Sequence, residues 1–202
     1  MFQKIRGLVV RSTRQGDCNR ILKIATSGGL IEAICYGAAR PKSSLAFLNE
    51  PFIYAEFELK CGKGDLLQVG SAGLIKNFYN LRFSLEKVEI AAEICRIIEK
   101  TILPAESFPL PLALNTLAIL EQADEEKTKL ILPLFTLRYL SDIGFPAQLT
   151  VDSLQSTVIS TELIAHIHNS NLNKLFNIKI DSEILSDLSF FAKSHAKEIF
   201  TH

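Results

Sequence analysis

The hydrophobic pattern of this chain changes period near residue 84, and a chain with that change cannot be a single sheet or a single helical bundle. Across residues 52–60 the pattern has period two, with Ile53, Ala55, Phe57 and Leu59 on one face and Tyr54, Glu56, Glu58 and Lys60 on the other. From Ser84 the period is about 3.6, and Leu85, Val88, Ala91/Ala92, Cys95 and Ile98/Ile102 fall on one stripe. Strands followed by helices give an α+β chain: a small N-terminal β-barrel over residues 1–80, then an all-α helical domain over residues 81–202.

Further strands fit the first part. Residues 4–14 have an apolar, β-branched centre, and Gln15-Gly16-Asp17 is a turn signal before Asn19–Thr26. Ser27-Gly28-Gly29 supplies a tight hairpin into residues 30–36. Gly62-Lys63-Gly64 reads as a glycine turn into a strand over residues 66–71, with a continuation to Ile75 open; it lacks phosphate-loop spacing and no helix follows. Five short strands with glycine turns suit a closed or partly closed barrel.

In the second part, Ser84 caps a helix that Pro104 ends, and Pro109 and Pro111 open a second. Asp124-Glu125-Glu126 starts a third, over residues 127–143, which Pro133 kinks or interrupts and Gly144-Phe145-Pro146 stops. Residues 150–157 read as a loop, Ser160 or Thr161 caps a short helix to His168, and residues 169–173 form another loop. Asp181 or Ser182 caps the last helix, with Ile184/Leu185, Leu188, Phe191/Ala192, His195 and Ile199 along one side.

Enzyme classes find little support. His166 and His168 point to different faces of their helix, there is no nucleophile elbow, and Asp124-Glu125-Glu126 reads as a solvated first turn. Cys18, Cys35, Cys61 and Cys95 form no Cys-x-x-Cys pair; each reads as a small buried or half-buried apolar residue. Apolar runs such as residues 130–135 are too short to span a bilayer, and no signal-peptide core leads the chain, so the expected location is cytoplasmic.

Charge is informative through its distribution. The net is zero, yet residues 1–80 hold 11 Lys and Arg against 6 Asp and Glu, and the remainder is acidic to the same extent. The loop over residues 37–48 cannot extend either flanking strand: Gly37 permits a turn, Pro41 removes a ladder donor, and Arg40, Lys42, Ser43 and Ser44 precede an apolar anchor. Arg6, Arg11, Arg14, Arg20, Lys23, Arg40, Lys42 and Ser43 form the candidate phosphate-contacting set. Tyr36, Phe47, Phe52 and Tyr54 are interleaved with it, as in a single-strand-binding barrel. Phe47 and Phe52 read as core; for Tyr36 and Tyr54 a core position is favoured over stacking.

The chain resembles the RecO family of bacterial recombination mediators and DNA-repair proteins. The likeness rests on Gly7-Leu8-Val9-Val10-Arg11, Gly16-Asp17-Cys18-Asn19-Arg20-Ile21-Leu22, the Gly28-Gly29 turn, and Gly37-Ala38-Ala39-Arg40-Pro41-Lys42-Ser43 with Leu45 and Pro51-Phe52. Phe135-Thr136-Leu137-Arg138-Tyr139-Leu140 with Ile143-Gly144-Phe145 is similar to the family's central helix and its end. The resemblance implies an OB-fold-like N-terminal domain, a helical C-terminal domain, binding and annealing of single-stranded DNA without catalysis or cofactor, double-stranded DNA as a further ligand, and partnership with RecR and single-stranded DNA-binding protein. It also implies an apolar groove for the acidic tail of that last protein, rimmed by some of Arg96, Lys100, Lys127, Lys129 and Arg138; simple pairing of these cations with neighbouring glutamates stays open. The other reading is a protein-interaction adaptor with little DNA affinity.

One departure from the family is explicit. Many members carry a four-cysteine zinc motif after the Gly-Tyr/Phe helix end, whereas residues 146–160 contain no cysteine. The purified protein is therefore expected to hold no stoichiometric zinc by elemental analysis, and a chelator should leave its Tm unchanged.

Overall fold

The computed structural model describes residues 2–61, 66–102, 107–147, 159–170 and 172–200. The expected turn at Gly62-Lys63-Gly64, the helix stop at Pro104 and the loop over residues 150–157 lie outside the described residues. The chain divides into two compact units, one of Met1–Asn80 with Cys95–Leu110, the other of Leu81–Ile94 with Pro111–His202.

The first unit is a closed five-stranded barrel: β1 (Phe2–Gln15), β2 (Asn19–Thr26), β3 (Gly29–Cys35), β4 (Ile53–Cys61) and β5 (Leu67–Lys76), in the order β1-β2-β3-β5-β4. Its neighbours run antiparallel except β3 and β5, which meet in parallel at Ala33–Leu67 and Ile34–Gln68. This is OB-fold-like closure, as expected from the strands. β1 is long enough to pair with β4 over Phe2–Val9 and with β2 over Gly7–Gln15; a register shift between Val9 and Arg11 turns it from one partner to the other. The period-two reading holds on β4, where Ile53, Ala55, Phe57 and Leu59 are buried and join Val9, Leu22, Ile24, Ala33, Cys35 and Val69 in one core. β5 runs past Ser71 to Lys76.

Three other expectations shift. Leu85 does not belong to the buried stripe of α1 (Leu85–Thr101): it sits in the first turn and is 75% exposed, and the stripe starts at Ala91 and continues through Ile94, Cys95 and Ile98. The helix α3 (Glu125–Asp142) runs through Pro133 without interruption. Its flanks explain this, because Pro133 is buried among Leu130, Ile131, Leu134 and Leu137, and packing offsets the lost backbone bond. Finally, a helical turn over residues 172–175 starts inside the segment 169–173 expected to be loop.

The second unit is helical. It contains the start of α1, then α2 (Leu110–Gln122) from Pro111 onward, α3, α4 (Thr161–Asn169), the turn α5 (Leu172–Leu175) and α6 (Ser182–Phe200). Asp124 caps α3 through the Lys127 amide at 2.9 Å, and Ser160 caps α4 through the Leu163 amide at 3.1 Å. Gly144, with φ +98°, ends α3, where the Gly144 amide donates to the Ser141 carbonyl. α3 packs against α6 and α4 and is buried nearly all round; Phe135 and Tyr139 stack at 5.3 Å. No helix among the described residues is long and apolar enough to cross a membrane.

Gly7 is a tight point in the barrel. A Cβ there would collide with the Ile24 Cγ2 and stand 3.0 Å from the Ala25 carbonyl oxygen. Gly7→Ala should lower stability by about 1–3 kcal/mol, read as a lower denaturant midpoint at constant m. Gly73→Ala, which meets nothing within 4 Å, should stay within about 1 kcal/mol of the parent.

Candidate nucleic-acid interface

The candidate site is built on the segment between β3 and β4. Gly37, with φ +69°, turns the chain out of β3, and the Arg40 amide closes the turn on the Gly37 carbonyl at 3.1 Å. The segment then docks on the β1–β2 turn: the Ala39 amide donates to the Cys18 carbonyl at 2.9 Å, and the Gly37 amide to Asn19 Oδ1 at 3.0 Å. Ala38 is buried. A 3-10 turn over Ala46–Asn49 anchors the far side, with Leu48 in the core and Leu45 and Phe47 packed on it. Asn49 ties the two ends together, donating from Nδ2 to the Ala38 carbonyl at 3.0 Å and accepting from Arg20 Nε at 3.0 Å. The loop is polar in composition but held like a structural element.

The predicted basic set separates into two groups. Arg6 pairs with Glu56 at 3.0 Å on the barrel's outer surface. Arg11 and Lys23 stand directly opposite each other on β1 and β2, and both reach Glu99 of α1: Arg11 Nε to Oε2 at 3.0 Å and Lys23 Nζ to Oε1 at 2.9 Å. The Glu99 side chain is only 12% exposed, and Lys23 also meets Glu32 at 3.3 Å. The hydrogen bond to Glu99 raises the Lys23 pKa above its ordinary value against the opposing effect of burial. These three cations already have carboxylates.

The other four have none among the described residues. Arg14 and Arg20 also face each other across β1 and β2, but Arg14 Nε donates to the Gly16 carbonyl at 3.1 Å and Arg20 to Asn49, both neutral acceptors. Arg40 and Lys42 are exposed, and among the described residues neither side chain has a hydrogen-bond or ion-pair partner. Two arginines directly opposite repel unless an anion lies between them. The docked loop therefore gathers Arg14, Arg20, Arg40 and Lys42 at one end of the barrel, with Asp17 on the neighbouring turn. Ser43 Oγ accepts from the Leu45 amide at 3.2 Å, which leaves its proton free to donate.

Of the interleaved rings, Phe52 is buried, and Phe47 and Tyr54 are half-buried. Tyr36 departs from its expected core position: Ala33 and Cys35 take the inward face of β3, alternation turns the next residue outward, and Tyr36 is 55% exposed. Cys35 and Cys95 are buried, and burial pushes their thiols up to about 11 and about 12. Cys61, expected to be at least half-buried, is exposed at the end of β4.

The five candidate partner-binding cations do not fall in one unit: Arg96 and Lys100 belong to the first, and Lys127, Lys129 and Arg138 to the second. Lys127 donates to Asn177 Oδ1 at 2.9 Å and Lys129 pairs with Glu125 at 3.0 Å. Arg138 pairs with Asp142 and donates from Nη1 to the Ser170 carbonyl at 2.6 Å, closing the end of α4. The sequence offers no signal for Glu99 as a clamp, because its partners are distant along the chain. Asn19 and Asn49 stand beside turn signals, and that position is the available hint.

Glu99→Gln tests the division of the basic set. It leaves Arg11 and Lys23 opposed without their shared carboxylate, so stability should fall by about 1–2 kcal/mol in denaturant unfolding at pH 7. Because the Lys23 pKa is raised by folding, its contribution is complete below the ordinary lysine value of 10.5 and is lost as pH rises through the higher folded value. The difference between parent and variant should accordingly be flat from neutral pH to below that value and shrink above it.

Comparison with known proteins agrees with this architecture. Residues 1–78 match the family described as Recombination protein O N terminal. The DNA repair protein RecO of Acetivibrio thermocellus is 26% identical, with 98% of this chain and 91% of that protein covered. The DNA repair protein RecO of Dehalococcoides mccartyi is 24% identical over 96% of this chain and 89% of its own length. The RecO of Alkaliphilus metalliredigens is 35% identical over 49% of this chain and 40% of its own. With the OB-fold-like barrel and the helical unit that follows it, the chain is similar to RecO proteins along nearly its whole length, and its residues 1–78 match that family's N-terminal domain.

Proposed function

We propose that this protein acts in DNA repair and recombination as a mediator without catalytic activity, binding single-stranded DNA at the barrel end formed by Arg14, Arg20, Arg40, Lys42 and Ser43. The observation that carries this reading is the contrast in charge compensation. Arg6, Arg11 and Lys23 are held by carboxylates, while the four cations at this end of the barrel have none among the described residues. Phosphates are the natural counter-ions for such a set. Neutralising the phosphates of two strands lowers their repulsion, which is a physical route to annealing that needs no nucleotide hydrolysis. The family resemblance supports the DNA-repair role, RecR and single-stranded DNA-binding protein as partners, and a cytoplasmic location. The helical unit serves here as scaffold and docking surface.

The test is binding of oligonucleotides at several salt concentrations. Replacing Arg40 and Lys42 together by alanine removes up to two phosphate contacts, so the slope of log K against log salt should fall by about 1.4 or less. Binding should weaken for every sequence alike, and Tm should hardly move, since both side chains are exposed and unpaired. Arg6→Ala should leave the slope unchanged, its charge being committed to Glu56. An unaltered affinity and slope in the Arg40/Lys42 variant would overturn the assignment and favour the adaptor reading, with the loop as a connector.

A further inference from the structure

We infer that Tyr36 is a base-stacking platform of this same end of the barrel, so that the site holds a base as well as phosphates; the inference rests on the DNA-binding reading above. A singly exposed tyrosine is ordinary on a protein surface and proves nothing alone. What distinguishes Tyr36 is how its backbone is fixed and what lies beside it.

On the near side, Cys35 is wholly buried and pairs with Arg20 in the β2–β3 ladder. On the far side, the Gly37 amide is held by Asn19, Ala38 is buried, and the Ala39 amide is held by Cys18. The residue between these anchors cannot turn its ring into the core, because the inward positions on both sides are taken. The ring stands outward at little further cost in conformational entropy, as a stacking platform requires. A neighbour supplies the charge. The Arg40 side chain lies back over the following residue, its Cδ and Nε 3.6 Å from where a Gly37 side chain would begin. A guanidinium beside an outward ring suits a nucleotide, whose base takes the π-face and whose phosphate takes the cation. Of the rings interleaved with the basic set, Tyr36 alone is exposed.

Stacking of one base on an aromatic ring carries about 1–3 kcal/mol, a factor of roughly 5–150 in affinity, and tolerates any base. The experiment uses the full chain with two probes of equal length, an oligothymidylate and its abasic counterpart. The parent should bind the thymidylate more tightly. Tyr36→Ala should weaken that binding by roughly 5-fold or more while leaving abasic binding and the salt slope as they were, since the ring carries no charge. The chain has no tryptophan, so Tyr36→Trp installs a unique reporter. Its affinity should match the parent, and its emission should be quenched by the thymidylate and not by the abasic strand.

Unchanged thymidylate binding by Tyr36→Ala, together with unquenched emission from Tyr36→Trp, would overturn the stacking role. If the Arg40/Lys42 variant still showed a reduced slope, the DNA-binding reading would stand without it. Failure of the parent to bind either probe at low salt would overturn both. Should Tyr36→Ala lose its folded transition, quenching and affinity of the tryptophan variant decide the question by themselves.

Discussion

Closure of the barrel is the constraint on which the first unit depends, and it is met by the length of one strand. An open five-stranded sheet would expose unpaired amides and carbonyls along two edges. The 14 residues of β1 are shared between two partners, with the shift between Val9 and Arg11 bending the strand from β4 towards β2. Gly7 lies where both partners are engaged at once, opposite Thr26 on one side and Ala55 on the other. The remaining gap is closed by the short parallel contact of β3 with β5, and the chain joining β3 to β4 must cross the end of the barrel to continue. The loop that carries Arg40 and Lys42 is thus a consequence of closure, placed where the topology obliges the chain to pass.

Two pairs of facing cations on β1 and β2 show how the same local sequence pattern serves different ends. Arg11 faces Lys23, and Arg14 faces Arg20. The first pair is quenched by Glu99, which is nearly buried and positioned by α1. The second has only neutral oxygens. Local sequence cannot separate these cases, because what decides between them is a residue tens of positions away. A basic strand is a site only where the fold withholds its counter-ion.

This also explains what is legible in the sequence and what is not. Alternation on β4 and the helical stripe around Ala91 and Cys95 are local, and they identify the barrel and the helices correctly. Periodicity misplaces Leu85 because it says which residues share a face, and not where along a helix burial begins. Pro133 reads as a kink or an interruption because a proline's cost is local, whereas the packing that offsets it around α3 comes from other helices. Tyr36 follows a strand that is apolar on both faces, so its pattern does not say which face is inward; the fold gives that face to Ala33 and Cys35, and alternation leaves Tyr36 outside. The loop itself is visible from Gly37 and Pro41, since turn chemistry is a property of neighbouring residues. The clamp supplied by Glu99 depends on distant partners and leaves no comparable trace.

The assignment of Cys95–Leu110 to the barrel's unit bears on how that unit can be isolated. The family match ends at residue 78 and the last strand at Lys76, which invites a fragment cut near residue 80. Such a fragment discards Glu99, together with the Phe108 amide that donates to the Ser27 carbonyl at the β2–β3 hairpin. Arg11 would then lose its carboxylate and join the exposed cations, and Lys23 would keep only Glu32. The isolated barrel would be more positive at this face than the same barrel in the whole chain, and its attraction for polyanions would exceed that of the intact molecule. Affinities measured on the fragment would describe a surface whose charge Glu99 offsets in the whole chain.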